Sequence, residues 1–192
     1  MISRIDHVSL AVADYQKAVD FFQKVTGIIP GASGSDGGMK YRWEIFSAGD
    51  LSRLEILTPT GKGSFLDNFL KDRQGGVHHI TFETPDISAA KRNLDALGIP
   101  CFGFQDKHPA WKELFIHPKD AFGVLIQLAE FRPDEWLSPS LVFPEGKKWE
   151  VEKTEKGGCL TTAHPGGGKA KLELNRDEIK KLILDLEEML QN

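Results

Sequence analysis

The chain has 192 residues, 40% of them hydrophobic and 27% charged, with a formal net charge of −4. That is the composition of a globular protein long enough to bury a core, and its acidic balance excludes the basic face that nucleic-acid binding needs. No apolar run approaches the roughly 18 residues of a membrane span, and Met1-Ile2-Ser3-Arg4 leads into a strand pattern rather than a signal peptide, so the expectation is a cytoplasmic protein with Cys101 and Cys159 as reduced thiols.

The first element is a strand, His7-Val8-Ser9-Leu10-Ala11-Val12, closed by Asp14 as a helix N-cap. A helical pattern follows through Ala18, Val19, Phe22 and Val25, and it stops at Gly27-Ile28. Strand-like runs come next, the last being Arg53-Leu54-Glu55-Ile56-Leu57. After a short segment around Phe65–Leu70 the whole pattern recurs. His79-Ile80-Thr81-Phe82 leads to the cap Asp86, a helix through Ala89, Ala90, Leu94 and Leu97 stops at Gly98-Ile99, and the closing strand is Leu125-Ile126-Gln127-Leu128. His7 to His79 and Glu55 to Gln127 are both separated by 72 residues. An internal repeat of this kind outranks any single motif. It divides the chain into paired strand–helix–strand–strand–strand units over residues 1–131 and an extension over residues 132–192.

In the extension, Trp136, Phe143 and Trp149 are expected to pack on the body, and residues 157–168 read as a glycine-rich connector. Gly168-Lys169 is not a phosphate loop, because Ala163 and Ala170 stand where that motif needs Gly and Ser or Thr. The chain closes with an amphipathic helix, Ile179, Leu182, Ile183, Leu186 and Leu190 on one face and Asn175 with Glu178 as a capping box. That stripe needs cover from the domain itself or from a second subunit.

Strand alternation then sorts the polar residues. Val8, Leu10 and Val12 face the helix, so His7 faces away, and His79 does the same opposite Ile80 and Phe82. Glu55 and Gln127 lie on the same side as the two histidines. Two imidazoles, a carboxylate and a carboxamide form a set that holds a divalent cation with a position left for water or substrate. A lone strand histidine is more often structural, so His78, His117 and His164 receive no role, and His108 with Trp111 is read as pocket wall. In Tyr41-Arg42-Trp43-Glu44-Ile45-Phe46, taking Trp43 and Ile45 as the helix-side set puts Glu44 on the metal side. There it is either a general base or a strand acid paired with Arg42 or Arg53.

The paired modules resemble the vicinal oxygen chelate superfamily of glyoxalases, extradiol dioxygenases and fosfomycin-resistance proteins. Ile5-Asp6-His7-Val8, Gly76-Val77-His78-His79-Ile80 and His117-Pro118-Lys119 with Gly123-Val124-Leu125-Ile126 are most similar to segments of methylmalonyl-CoA epimerases. The resemblance covers residues 4–131. It implies an α+β fold in which two βαβββ modules form a curved mixed sheet around a metal site, followed by the C-terminal extension and its terminal helix. It implies His7, Glu55, His79 and Gln127 as metal ligands, Glu44 as a catalytic base, and Co, Mn, Zn, Ni or Fe as the divalent ion. Those relatives carry Glu where Gln127 stands, and Gln binds metal through its carbonyl but takes no proton at neutral pH. The implied protein is a homodimeric isomerase whose substrate, such as an acyl-CoA, chelates the metal through two neighbouring oxygens and passes through an enolate. A glyoxalase I-like lyase, an extradiol-type dioxygenase and a non-catalytic small-molecule-binding protein are the alternatives.

Overall fold

A computed structural model describes residues 2–49, 52–137, 139–163 and 168–191. The first unit runs β1 (Arg4–Val12), α1 (Tyr15–Thr26), β2 (Ile29–Asp36), β3 (Tyr41–Ala48) and β4 (Ser52–Pro59). A single helical turn, α2 (Asp67–Leu70), leads to the second unit: β5 (Gly75–Glu83), α3 (Ile87–Ala96), β6 (Phe102–Gln105), β7 (Trp111–Ile116) and β8 (Leu125–Phe131). The eight strands form one curled mixed sheet in the order β2-β3-β4-β1-β5-β8-β7-β6. The units meet antiparallel at β1 and β5, and within each the first and last strands are parallel, β1 with β4 and β5 with β8. The α+β architecture is the one the repeat and the resemblance imply.

The helices start and stop where their caps dictate. Asp14 accepts from the Lys17 amide at 3.1 Å and Asp86 from the Ala89 amide at 2.7 Å. Gly27 takes a left-handed φ of 69°, which costs a residue without Cβ little, and its N–H closes on Gln23. α1 packs Val19 on Val12, Phe46 and Ile56, and α3 packs Ile87, Ala90 and Leu94 on Leu114 and Leu128. Each fully buried aliphatic contributes about 1.5–3 kcal/mol, so the two helices hold one face of the sheet. The other face remains for the polar residues.

Past β8 the chain differs from the reading of residues 157–168 as a connector. Gly157–Ala163 is a strand, the centre of a three-stranded antiparallel sheet of β9 (Trp149–Lys153), β10 (Gly157–Ala163) and β11 (Lys169–Asn175). The glycines mislead because they mark close strand approach: a Cβ on Gly157 would sit 2.1 Å from the Leu174 carbonyl. His164, Gly166 and Gly167 lie outside the described residues. α4 (Arg176–Met189) opens with the expected capping box, and Ile179, Leu182, Ile183 and Leu186 line an apolar hollow with Val151, Leu160 and Leu174. Trp149, expected to pack on the body, is exposed. Phe143 instead lies beneath the ammonium groups of Lys147 and Lys169. Cys101 and Cys159 are free thiols.

Candidate metal centre and its pocket

Strand register brings the ligand-type residues together. His7 pairs across β1–β5 with Thr81, and Ser9 with His79. In the parallel ladders Ser9 pairs with Glu55, and Thr81 with Gln127. Residues paired in this way share a face, so all six point into the concave side of the sheet, and all six are buried.

His7, Glu55 and His79 place one ligand atom each within 4.8 Å of one another. The Nε2 atoms of His7 and His79 stand 3.7 and 3.5 Å from Glu55 Oε2. Each imidazole is held from behind. His7 Nδ1 lies 2.7 Å from Asp6 Oδ2, and His79 Nδ1 lies 2.9 Å from His78 Nδ1. Asp6 and His78 are repeat counterparts, so the two halves orient their histidines in the same manner, with Nε2 turned inward. Burial, with His7 and His78 alongside, drives the His79 pKa well below the ordinary imidazole value. Burial also raises Glu55, against the pull of His7 and the Ser9 hydroxyl. Two imidazoles and one carboxylate, oriented by second partners, fit a divalent cation.

Gln127 stands at the edge of this cluster. Its Oε1 accepts from Thr81 Oγ1 at 2.5 Å, and its Nε2 donates to Glu113 Oε2 at 2.7 Å.

Glu44 is elsewhere, and its expected position is corrected. It pairs with Ile56, a residue of the α1 core, whereas Ile45 pairs with Glu55. Glu44 therefore faces the helix side, where it accepts hydrogen bonds from Tyr15 and from Arg42 Nη2. The assumed phase was inverted: Trp43 and Ile45 line the metal-side cavity. Of the two readings the alternation allowed, the acid paired with Arg42 is the one seen.

Two cavities meet at the cluster. One, of about 350 Å³, has Asp36, Tyr41, Trp43, Glu113, Trp111 and Trp136 among its walls, and His108 lines it as expected. The other, of about 460 Å³, is walled by Leu57, Phe65, His78, His79, Phe115 and His117. Tyr41, Glu55, Glu113 and Gln127 belong to both. Burial, reinforced by Glu55, Glu113 and Asp36, pushes the Tyr41 phenol up to about 12.

Several of these residues were absent from the sequence reading. Ser9 and Thr81 follow the histidines by two and repeat with them, so alternation alone finds them. Glu113 is the repeat counterpart of Tyr41 and is found the same way once the phase of β3 is right. Asp6 gives no such signal, because a register shift between Ile5 and His7 buries two consecutive side chains. His78 and His117, given no role, line the second cavity.

Comparison with known proteins agrees with this geometry. Residues 6–115 match the family model described as Glyoxalase/Bleomycin resistance protein/Dioxygenase superfamily. Ethylmalonyl-CoA/methylmalonyl-CoA epimerase of Cereibacter sphaeroides is 36% identical over 136 residues, covering 68% of this chain and 99% of the relative. Mitochondrial methylmalonyl-CoA epimerase of Homo sapiens is 31% identical over 134 residues, covering 67% and 74%. Among solved structures, a variant of Streptomyces coelicolor methylmalonyl-CoA epimerase in complex with 2-nitronate-propionyl-CoA superposes with a TM-score of 0.62 at 27% identity, covering 68% of this chain and 99% of that one.

Proposed function

The chain belongs to the Glyoxalase/Bleomycin resistance protein/Dioxygenase superfamily, and from that premise we propose that it is a divalent-metal-dependent isomerase that epimerises a CoA thioester of the methylmalonyl type. The observation that carries the reading is the buried His7–Glu55–His79 cluster at the junction of two cavities, in a chain that spans 99% of a relative named for that activity.

His7, Glu55 and His79 would hold the ion, with Gln127 beside them, and the bound ion would supply the Lewis acidity that makes a C–H between two carbonyl groups removable. The remaining chemistry belongs to side chains. Two carboxylates outside the ligand cluster line the first cavity from opposite halves of the sheet: Asp36 at the end of β2 and Glu113 in β7. One takes the proton from the carbon as the C–H electron pair delocalises into the thioester carbonyl. The other returns a proton to the opposite face, which inverts the centre. Glu44, on the far side of the sheet, has no part in this. Half-buried Tyr41, its phenol held near 12, keeps its proton and offers a donor in the same cavity.

No helix among the described residues is long and apolar enough to cross a membrane. The reading includes a homodimer working in the cytoplasm, and exposed Ile183 and Leu186 on α4, with Leu190 just past its end, give a second copy an apolar surface to cover.

The test is isotope exchange. Protein loaded with Co²⁺ or Mn²⁺ and placed in deuterated water should wash deuterium into C2 of methylmalonyl-CoA, followed by NMR, and chelation of the ion should stop it. No exchange with any divalent ion would overturn the reading.

A further inference from the structure

We infer that the segment following β8 enters the catalytic pocket through Trp136 and sets the size of the acyl substituent that the enzyme accepts. The inference rests on the acyl-CoA reading and adds the part of the substrate that this chain selects.

After Phe131 the backbone turns back through a 3-10 turn, Pro133–Trp136, onto the open edge of the curled sheet. Arg53, buried under the first module, donates from Nη1 to the Pro133 carbonyl at 3.4 Å, and its guanidinium lies 5.3 Å from the Phe131 ring centre. Gly31 in β2 makes room for the turn. A Cβ there would stand 2.8 Å from the Trp136 carbonyl oxygen and 3.0 Å from that of Ile45, closer than such contacts allow. The absence of a side chain at residue 31 thus lets the backbone at residue 136 come close against β2.

The indole lands between two others. Its ring centre is 5.6 Å from Trp43 in β3 and 5.1 Å from Trp111 in β7, and all three line the first cavity. β3 and β7 belong to different modules, so Trp136 bridges the mouth of the half-barrel and turns an open trough into a walled cavity.

Charge decides which part of the substrate lies there. The phosphates of coenzyme A make its arm a polyanion, and the first cavity carries three carboxylates, Asp36, Glu55 and Glu113. The second cavity adds no acid to the two it shares, and the histidines His78, His79 and His117 line its wall. The coenzyme arm therefore leaves through the second cavity, and the substituent on C2 lies against the indoles. Aromatic walls this close leave room for a small alkyl group.

The experiment is a series of 2-alkylmalonyl-CoA thioesters, from methyl to butyl, followed by deuterium wash-in. Wild type should prefer methyl over butyl in kcat/KM by about 10-fold or more, the discrimination that a few methylenes support in a closed pocket. Trp136→Ala should erase most of that preference by raising the butyl rate, with bound metal unchanged. Trp136→Phe should retain most of it, and Trp136→Leu serves if the alanine variant does not fold. A methyl-to-butyl ratio unchanged in both truncated variants, with exchange on methylmalonyl-CoA intact, would overturn the inference and leave the epimerase reading standing. If wild type exchanges no member of the series, the reading falls and the inference falls with it.

Discussion

Gln127 Nε2 donates to Glu113 Oε2 at 2.7 Å, and the Trp111 indole N–H donates to the same oxygen at 2.7 Å. Two donors on one oxygen fix the carboxylate in the pocket and leave Oε1 without a protein partner among the described residues. The resemblance implies an acid at 127, where this chain carries an amide. Glu113, one strand away and in contact with that amide, restores a carboxylate to this half of the site. Glu113→Gln should therefore lower kcat for isotope exchange by about 10²-fold or more, the usual contribution of a positioned acid or base. Metal affinity should stay within a few-fold of wild type, since Glu113 lies outside the ligand cluster, and that measurement separates loss of chemistry from loss of the site. Full exchange by Glu113→Gln would remove it from the mechanism.

Asp6 is the hub behind the first histidine. Its carboxylate accepts from His7 Nδ1, from Arg4 Nη2 at 2.5 Å, and from the Arg53 guanidinium through Nε at 3.0 Å and through Nη2. Arg4 in turn reaches Glu83 at 2.8 Å. Asp6→Asn keeps the shape but takes its nearest counter-charge from buried Arg53, a loss of about 3–5 kcal/mol for a buried pair broken on one side. Freed from its partner, His7 should also bind metal about 10- to 100-fold more weakly. Chemical denaturation and a chelator competition measure the two effects separately. A variant as stable as wild type would show that the cluster is dispensable.

The path from sequence to site was readable wherever two regularities agreed. His7, His79, Glu55 and Gln127 were found because strand period and the 72-residue repeat gave the same face. Glu44 falls on the wrong face when period alone sets the phase of β3 and Trp43 and Ile45 are taken as the helix-side set. The repeat already held the answer: the counterpart of Glu44 is Ile116, which packs against α3, and the counterpart of Trp43 is Phe115, which faces the second cavity. A large aromatic side chain is as much at home on a pocket wall as in a core, so size does not set phase. Trp136 was recognised as a packing residue, but its arrival between Trp43 and Trp111 depends on the curl of the sheet, which no local pattern encodes. The strand at Gly157–Ala163 was hidden by the two glycines that make its pairing possible.

The position of Glu44 has a consequence measurable by both spectroscopy and activity. Tyr15 on α1 donates its hydroxyl to Glu44, and Arg42 adds a second hydrogen bond to the same carboxylate at 2.9 Å. Burial first, and then the hydrogen bond and charge of Glu44, raise the Tyr15 phenol to about 12. An unfolded tyrosine ionises near 10. A group whose folded pKa is raised contributes stability that is complete below the unfolded value and disappears as pH rises through the folded one, so this contact holds α1 to the sheet below about pH 10 and is lost by about pH 12. The chain has two tyrosines, and both are held near 12, Tyr41 by burial on the other face of the sheet. Phenolate absorbance of the folded wild type should therefore rise late for both. In Glu44→Gln the charge is gone, and one of the two should titrate earlier, toward 10, while the other stays. The exchange reaction should remain within about threefold of wild type, because a substitution outside the pocket removes no transition-state contact. If instead exchange collapses while both tyrosines still titrate late, Glu44 acts in the pocket and its placement against α1 is wrong.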